Sequence, residues 1–202
     1  MIRRREPGAP FCTLAVTSLA LAFHVLDIGP DALAYRPADP TWTSLILCHL
    51  VHFSPRHLLF DALTFFALGV VSESIDRRRY VLFLASASLL IPPLACALDG
   101  GVARYAGLSG LVIGQVALWL GHEIRRHRAV WPLPVLLLLL LKQLLEFSRG
   151  HTLILPGNYE GFRAIPAAHL LSVLAGSLVG LLPSLAKKSK RNFRARPAVQ
   201  AP

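Results

Sequence analysis

The chain has 202 residues, of which 54% are hydrophobic and only 16% charged, and it carries a formal net charge of +10. A soluble domain averages about 25% charged residues, so this balance argues against a soluble enzyme, a disordered chain or a coiled coil. The basic residues sit between apolar runs rather than on one soluble face, which argues against a nucleic-acid reader and leaves an all-α polytopic membrane protein.

A spanning helix needs about 20 apolar residues. Six runs approach that length: Pro10 to Ile28, His57 to Ser72, Tyr80 to Leu98, Ser109 to Gly121, Val130 to Phe147, and Ile165 to Leu185. They predict a six-helix membrane domain over residues 10–185, between a basic N-terminus (1–9) and a basic tail (186–202). The first run contains Ala20-Leu21-Ala22, which mimics a signal-peptide cleavage site. The apolar run continues past it, so a retained span is expected. Residues Thr43 to Phe53 are apolar but too short to span, and are expected to lie in the outer interface or dip into it. Trp131 stands where an interfacial ring would sit.

Six spans put both termini on one side. Arg3, Arg4 and Arg5, then Arg77, Arg78 and Arg79, then Arg125, Arg126 and Arg128, and finally the tail cations from Lys187 to Arg196 share that side. Arg36, Arg56, Arg104, Lys142, Arg149 and Arg163 are scattered and fall at or near the opposite face. The clustered side is therefore expected to be cytoplasmic, which fits a multi-pass protein of a plasma membrane, here a bacterial inner membrane. The tail reads as a solvated anchor near anionic lipid. Cys12, Cys48 and Cys96 are widely spaced and form no CxxC pair, so they read as small buried hydrophobes. No internal repeat or phosphate-binding loop is present.

The fourth run carries the chemistry. Its 13 residues make about 20 Å of helix, against a hydrocarbon core of about 30 Å. A short fourth helix is expected, met by a membrane-dipping outer loop from Asp99 to Gly107. Irregular backbone at that depth needs burial in protein or a wet cavity. Ser109 is then placed inside the membrane at a helix N-terminus, between Gly107 and Gly110. That terminus favours developing negative charge. A nucleophilic serine needs a base. His169 lies four residues beyond Ile165, about 6 Å along its helix and at similar depth. Ser172, Gly176 and Gly180 share its face, a small-residue stripe that lets a neighbouring helix pack closely. The plainer alternative makes Ser109 a packing residue and His169 a hydrogen-bonded core histidine. His49, His52, His57 and Asp61 lie before and within the second run, with His57 and Asp61 on one helix face. They can supply donors to an oxyanion; for a metal, no spacing fixes three ligands. No cofactor is implied.

These residues resemble the rhomboid intramembrane serine proteases. His52-Phe53-Ser54-Pro55-Arg56-His57 through Asp61 is similar to the family's H-F-S-x-x-H-x-x-x-N, and Glu73 matches the acidic residue closing that helix. Gly107-Leu108-Ser109-Gly110 is its G-x-S-G, and Ala168-His169 with Ser172 and Gly176 resembles its A-H-x-x-G-x-x-x-G. The resemblance runs over roughly residues 40 to 182. The compact body and the Leu141-Lys142-Gln143-Leu144-Leu145-Glu146 element most resemble the rhombosortase subfamily, whose members process surface proteins carrying a Gly-Gly-type C-terminal sorting tail. The resemblance implies Ser109 as nucleophile and His169 as general base and acid, with no triad carboxylate. It implies an oxyanion hole from His57, position 61 and the Ser109 backbone N–H, with His52 and Gly107 beside it. Partners would be transmembrane segments of substrates within the lipid bilayer, and no nucleic acid. A six-span body can work as a monomer.

Three departures stand out. Asp61 replaces the family Asn; ionised it repels an oxyanion, whereas a protonated acid, which desolvation favours, can donate. Ile113 stands where rhomboids often place an aromatic ring against the catalytic histidine. The Trp-Arg pair of the first outer loop reads Trp42-Thr43. Three other classes were weighed. A zinc protease wants H-E-x-x-H, and His122-Glu123 to His127 has one residue too many. A non-catalytic rhomboid-like protein that binds membrane segments is favoured by Asp61 and opposed by Ser109 and His169. A transporter would show inverted repeats or broken helices in matching halves. The substrate is not legible in the sequence.

Overall fold

A computed structural model describes residues 9–153 and 163–183. The expected basic N-terminus with Arg3, Arg4 and Arg5 and the expected basic tail lie outside the described residues, apart from Ala9. Within the described residues the fold is all helical: α1 (Phe11–Val25), α2 (Pro30–Leu33), α3 (Trp42–Leu47), α4 (Pro55–Asp99), α5 (Ser109–His127), α6 (Pro132–Arg149) and α7 (Pro166–Leu181). A 3-10 turn, Cys48–Leu50, follows α3.

The α4 segment is not one rod. Asp76 has φ −153° and ψ 86°, which breaks the helix into arms 55–75 and 77–99. The arms fold back on each other, because both ends of α4 reach one end of the bundle. Asp61 stands 3.2 Å from His57 and lines a cavity with Ser109, while Asp99 stands 3.5 Å from Arg163, just before α7. The break lies at the opposite end, where Arg79 meets the last carbonyls of α7. A straight helix of 45 residues would reach roughly 65 Å and could not do both. The second and third apolar runs thus become a hairpin of rods with almost no loop between them. Among the described residues α4 alone is both long and apolar enough, by length and composition, to cross a membrane.

The bundle carries its polar groups inside and its large apolar groups outside. Leu63, Leu90, Leu138 and Leu178 are all more than half exposed, while Arg79, Gln115, Gln143 and Glu146 are 2% exposed or less. Glu73 accepts hydrogen bonds from the backbone N–H groups of Cys12 (3.1 Å) and Thr13 (2.9 Å) and from the Thr13 hydroxyl (2.9 Å). Its carboxylate thereby caps the open N-terminus of α1, where the helix dipole favours an anion. With its one proton committed to Glu73, the Thr13 hydroxyl accepts from Tyr80 Oη (3.1 Å), which in turn accepts from Gln115 Nε2, so one polar chain ties α1 to both arms of α4 and to α5. Arg79 donates to the carbonyls of Val179 (2.6 Å), Leu182 (2.7 Å) and Pro183 (2.8 Å) and pairs with Asp76 (3.0 Å). Arg125 reaches the Gly180 carbonyl. The arginine clusters therefore do more than mark one side of a membrane: two of their members close the C-terminus of α7, where orphan carbonyls and the dipole want cations.

The closest packing is between α5 and α7. A Cβ on Gly176 would collide with the Gly114 carbonyl oxygen, one on Gly180 would sit 2.6 Å from the Leu118 oxygen, and one on Gly121 would sit 3.2 Å from Gly180 Cα. A Cβ on Gly114 would collide with Ser172 Oγ and the Phe83 ring. Residue numbers rise together along this contact, so the two helices run parallel. The paired positions differ by 58 to 62 residues, and Ser109 and His169 differ by 60. The register alone carries both to the same level at the first turns of their helices. The stripe Ser172, Gly176, Gly180 lies on this contact, and Gly114 and Gly121 of α5 complete it, whereas Gly110 turns toward Tyr105 and Ile91 instead.

The fourth helix is not short. Its apolar run stops near Gly121, but the helix continues to His127, 19 residues in all. The last turn carries Arg125, Arg126 and His127, cations that suit a helix C-terminus. Apolarity limits a membrane run; it does not limit a helix.

Gly176→Ala should lower the unfolding midpoint in detergent, by an amount corresponding to about 1–3 kcal/mol, the usual cost of overpacking. Leu178→Ala, on the exposed face of the same helix, should leave the midpoint nearly unchanged. Thermal unfolding followed by intrinsic fluorescence checks both, and equal effects would rule out the glycine contact as the constraint.

Candidate active site

The loop before α5 is fastened on several sides. Tyr35 and Tyr105 exchange a pair of backbone hydrogen bonds of 2.9 Å, an isolated antiparallel bridge. Gly107 N–H donates to the Cys48 carbonyl at 3.0 Å, and Leu108 N–H donates to His52 Nε2 at 3.3 Å. His49 lies 3.4 Å from the Gly107 carbonyl and 3.3 Å from that of Ser88, with its ring edge-on to Tyr105. The backbone groups of Tyr105 and Gly107 and the Leu108 N–H thus find protein partners, the kind of satisfaction that buried irregular backbone needs. The 3-10 turn, within the segment expected at the outer interface, and the Tyr35 segment, for which no role was expected, supply most of these fastenings.

Gly107 needs to be glycine on two counts. Its φ is +107°, outside the range of ordinary L residues, and a Cβ would sit 2.9 Å from the His57 ring and 3.3 Å from Asp61. The backbone therefore runs directly against His57 and Asp61, one residue before the helix cap Leu108. Ser109 is the first residue of α5, and by its position its backbone N–H has no carbonyl of its own helix to meet.

A cavity of about 500 Å³ opens here, within the usual range for a ligand pocket. Ser109, His169, His57 and Asp61 all line it. His169 is 9% exposed and its Nδ1 is buried without a hydrogen-bond partner. No hydrogen bond joins Ser109 to His169 among the described residues; such bonds commonly tighten only when substrate fills the site. Ile113 lines the same cavity, one turn along from Ser109. His52 and Gly107 do not line it. Both touch residues that do: His52 stands 3.3 Å from Asp61, and a Cβ on Gly107 would meet His57 and Asp61.

Asp61 joins two histidines. Its Oδ2 is 3.2 Å from His57 Nε2 and 3.3 Å from His52 Nε2. The His52 nitrogen also accepts from Leu108 N–H, and one ring nitrogen cannot both accept there and donate to Asp61. The cluster therefore has two proton arrangements, one with Asp61 as acceptor and one with a proton on its carboxyl. An asparagine in this place could accept from one imidazole and donate to another without any such choice.

The α6 helix brings two further groups. Lys142 and Glu146 line the cavity, and Glu146 is fully buried. Glu146 Oε1 accepts from Lys142 Nζ at 2.7 Å and from Leu153 N–H at 2.8 Å. The sequence singled this pair out only as part of a subfamily element. A lysine and a glutamate four residues apart in an otherwise leucine-rich run were the available signal. Among the described residues no group of three His, Cys, Asp or Glu is arranged to hold a metal ion.

The sequence matches the Rhomboid domain family over residues 39–185. No match to a curated protein is found.

Gly107→Ala should destabilise the protein by about 1–3 kcal/mol, through backbone strain and the contact with His57. Gly101→Ala, which meets nothing within 4 Å but shares a positive φ, separates the two causes: it should cost less. Detergent unfolding midpoints of the two variants check this, and equal losses would remove the His57 contact from the account.

Proposed function

The chain belongs to the rhomboid family, whose members are generally intramembrane serine proteases, and from that membership and the cavity we propose that it is an intramembrane serine endopeptidase using Ser109 and His169. The observation that carries the proposal is the shared cavity: a serine at a helix N-terminus and a buried histidine at the same level of a parallel neighbour. Membership makes the chain an integral membrane protein.

In this reading His169 takes the Ser109 proton as the Oγ attacks a substrate carbonyl. The tetrahedral oxyanion forms beside the Ser109 backbone N–H and the His57 ring, donors fixed before reaction begins. His169 then passes the proton to the leaving amine. Water deacylates the serine with His169 again as base. The polar wall of the cavity gives that water a route into an apolar bundle. Substrate is a transmembrane segment, cut near the end of the bundle that carries the cavity. The six rods α1, the two arms of α4, α5, α6 and α7 are the spans. The basic clusters then place both termini in the cytoplasm and the site toward the outer face. The Lys142 to Glu146 element supports a rhombosortase-type role, trimming C-terminal sorting tails.

A second reading has one specific observation behind it. Asp61 in place of the family Asn can leave the oxyanion site occupied by negative charge, and the protein would then bind membrane segments without cutting them.

Purified protein in detergent should label with a fluorophosphonate, and Ser109→Ala and His169→Ala should each abolish labelling. Wild type that fails to label while still binding a transmembrane peptide would give the second reading the site. Asp61→Asn should label at least as fast as wild type, whereas Asp61→Leu should lose about 2–4 kcal/mol of transition-state stabilisation, the scale of one oxyanion-hole element. A silent Asp61→Asn would mean that the carboxyl itself is required.

A further inference from the structure

Glu146 is a carboxylate in the wrong place for a structural residue. It sits on α6 among Leu144, Leu145 and Phe147, fully buried. A charged group there is costly and is retained where it has a task. One of its oxygens is committed to Lys142 and to the Leu153 N–H. The other, Oε2, is buried and has no partner. On the neighbouring helix, His169 Nδ1 is also buried and also has no partner. Both residues line the same cavity as Ser109. The residues that carry this lone oxygen and this lone ring nitrogen thus line one cavity with the nucleophile.

Charged groups reach the cavity around His169 from several elements. From α6 they are Glu146 and Lys142; from α4, Asp61, His57 and Arg56; from the loop before α5, Arg104; and from the segment before α7, Arg163. The facing turns of α5 contribute Ser109 and Ile113, neither of which is charged. Asp61 is engaged at the other wall with two histidines. Asp61 Oδ2 too is buried without an aligned hydrogen bond, yet it already stands between two imidazoles, which leaves Glu146 as the carboxylate without a histidine partner.

We infer that Glu146 is a positioning residue for His169: its carboxylate, held by Lys142 and the Leu153 N–H, orients the imidazole and stabilises the imidazolium formed when Ser109 gives up its proton. The chain would then carry a third member for a site expected to work as a pair. The role is the one an acidic residue plays behind a catalytic histidine elsewhere, fixing orientation without itself taking the proton. Lys142 is part of the device. It anchors Glu146 and tempers its field, since a lone carboxylate beside a histidine in a dry site would neutralise itself instead. This inference rests on the Ser109–His169 reading above.

The test is the rate of fluorophosphonate labelling against pH for wild type, Glu146→Gln, Glu146→Asp, Lys142→Met and the double variant Lys142→Met/Glu146→Gln. Losing a negative neighbour favours the neutral imidazole, and losing a positive one favours the imidazolium. Glu146→Gln should move the midpoint of the profile toward acid and lower its plateau by about one order of magnitude, less than the loss of a fully bonded triad carboxylate. Lys142→Met should move the midpoint toward base. The double variant should return it close to wild type, and Glu146→Asp should recover part of the plateau. A residue that only tethers Leu153 would change the amount of folded protein and leave every midpoint in place; that result overturns the inference while the serine reading stands. If Glu146→Gln fails to fold, Lys142→Met still decides, because an unmoved midpoint there has the same meaning. Wild type that does not label removes the serine reading, and the inference falls with it.

Discussion

The contact between α5 and α7 is the constraint from which the site follows. Four glycines and a serine remove the side chains that would hold the two helix axes apart, so backbone meets backbone at Gly114 and Gly176 and again at Leu118 and Gly180. Packing this close fixes register as well as distance, because each carbonyl fits only beside a missing Cβ. A parallel pair locked in that register brings Ser109 and His169 to one level. In a lipid environment such contacts matter more than apolar burial, since the tails are as apolar as leucine and offer no drive toward helix association. The exposed leucines on the outer faces contribute little to holding the rods together.

Polar groups do the remaining joining. Glu73 closes the start of α1, Arg79 and Arg125 close the end of α7, and the chain from Thr13 through Tyr80 to Gln115 runs between them. These groups sit at helix ends or share partners, so each charge meets backbone dipoles as well as a counter-ion. Removing one partner would strand the other in a dry interior, which costs several times what an exposed pair contributes. The turn at Asp76 belongs to the same scheme. Its side chain pairs with Arg79, and the arginine in turn grips α7.

The loop before α5 is held with equal economy. A single two-residue bridge, the Cys48 carbonyl and the imidazoles of His49 and His52 satisfy backbone that no helix or sheet provides for. Gly107 then lets His57 and Asp61 touch the chain itself. Rigid surroundings of this kind let a helix N-terminus serve as a site, because its donors already point where charge would develop and need not rearrange.

Much of this was legible in one dimension. Composition excluded a soluble fold, the apolar runs located every long rod to within a few residues, and the small-residue stripe on the last helix foretold its close neighbour. Ser109, His169, His57 and Asp61 could be singled out because polar groups are rare and costly in apolar runs. The length of α5 was misjudged because hydropathy marks where lipid ends and not where hydrogen bonding ends. His52 and Gly107 stand one contact back from the cavity, against Asp61 and His57, a depth that spacing along a helix does not give. The fold-back at Asp76 and the capping of α7 by Arg79 depend on contacts across 64 to 104 positions of chain, and the meeting of Glu146 with Ser109 and His169 brings three separate helices together. No local pattern encodes such contacts. The sequence determined which residues could not face lipid; only the tertiary structure decided which of them would meet, because that depends on where backbones can approach.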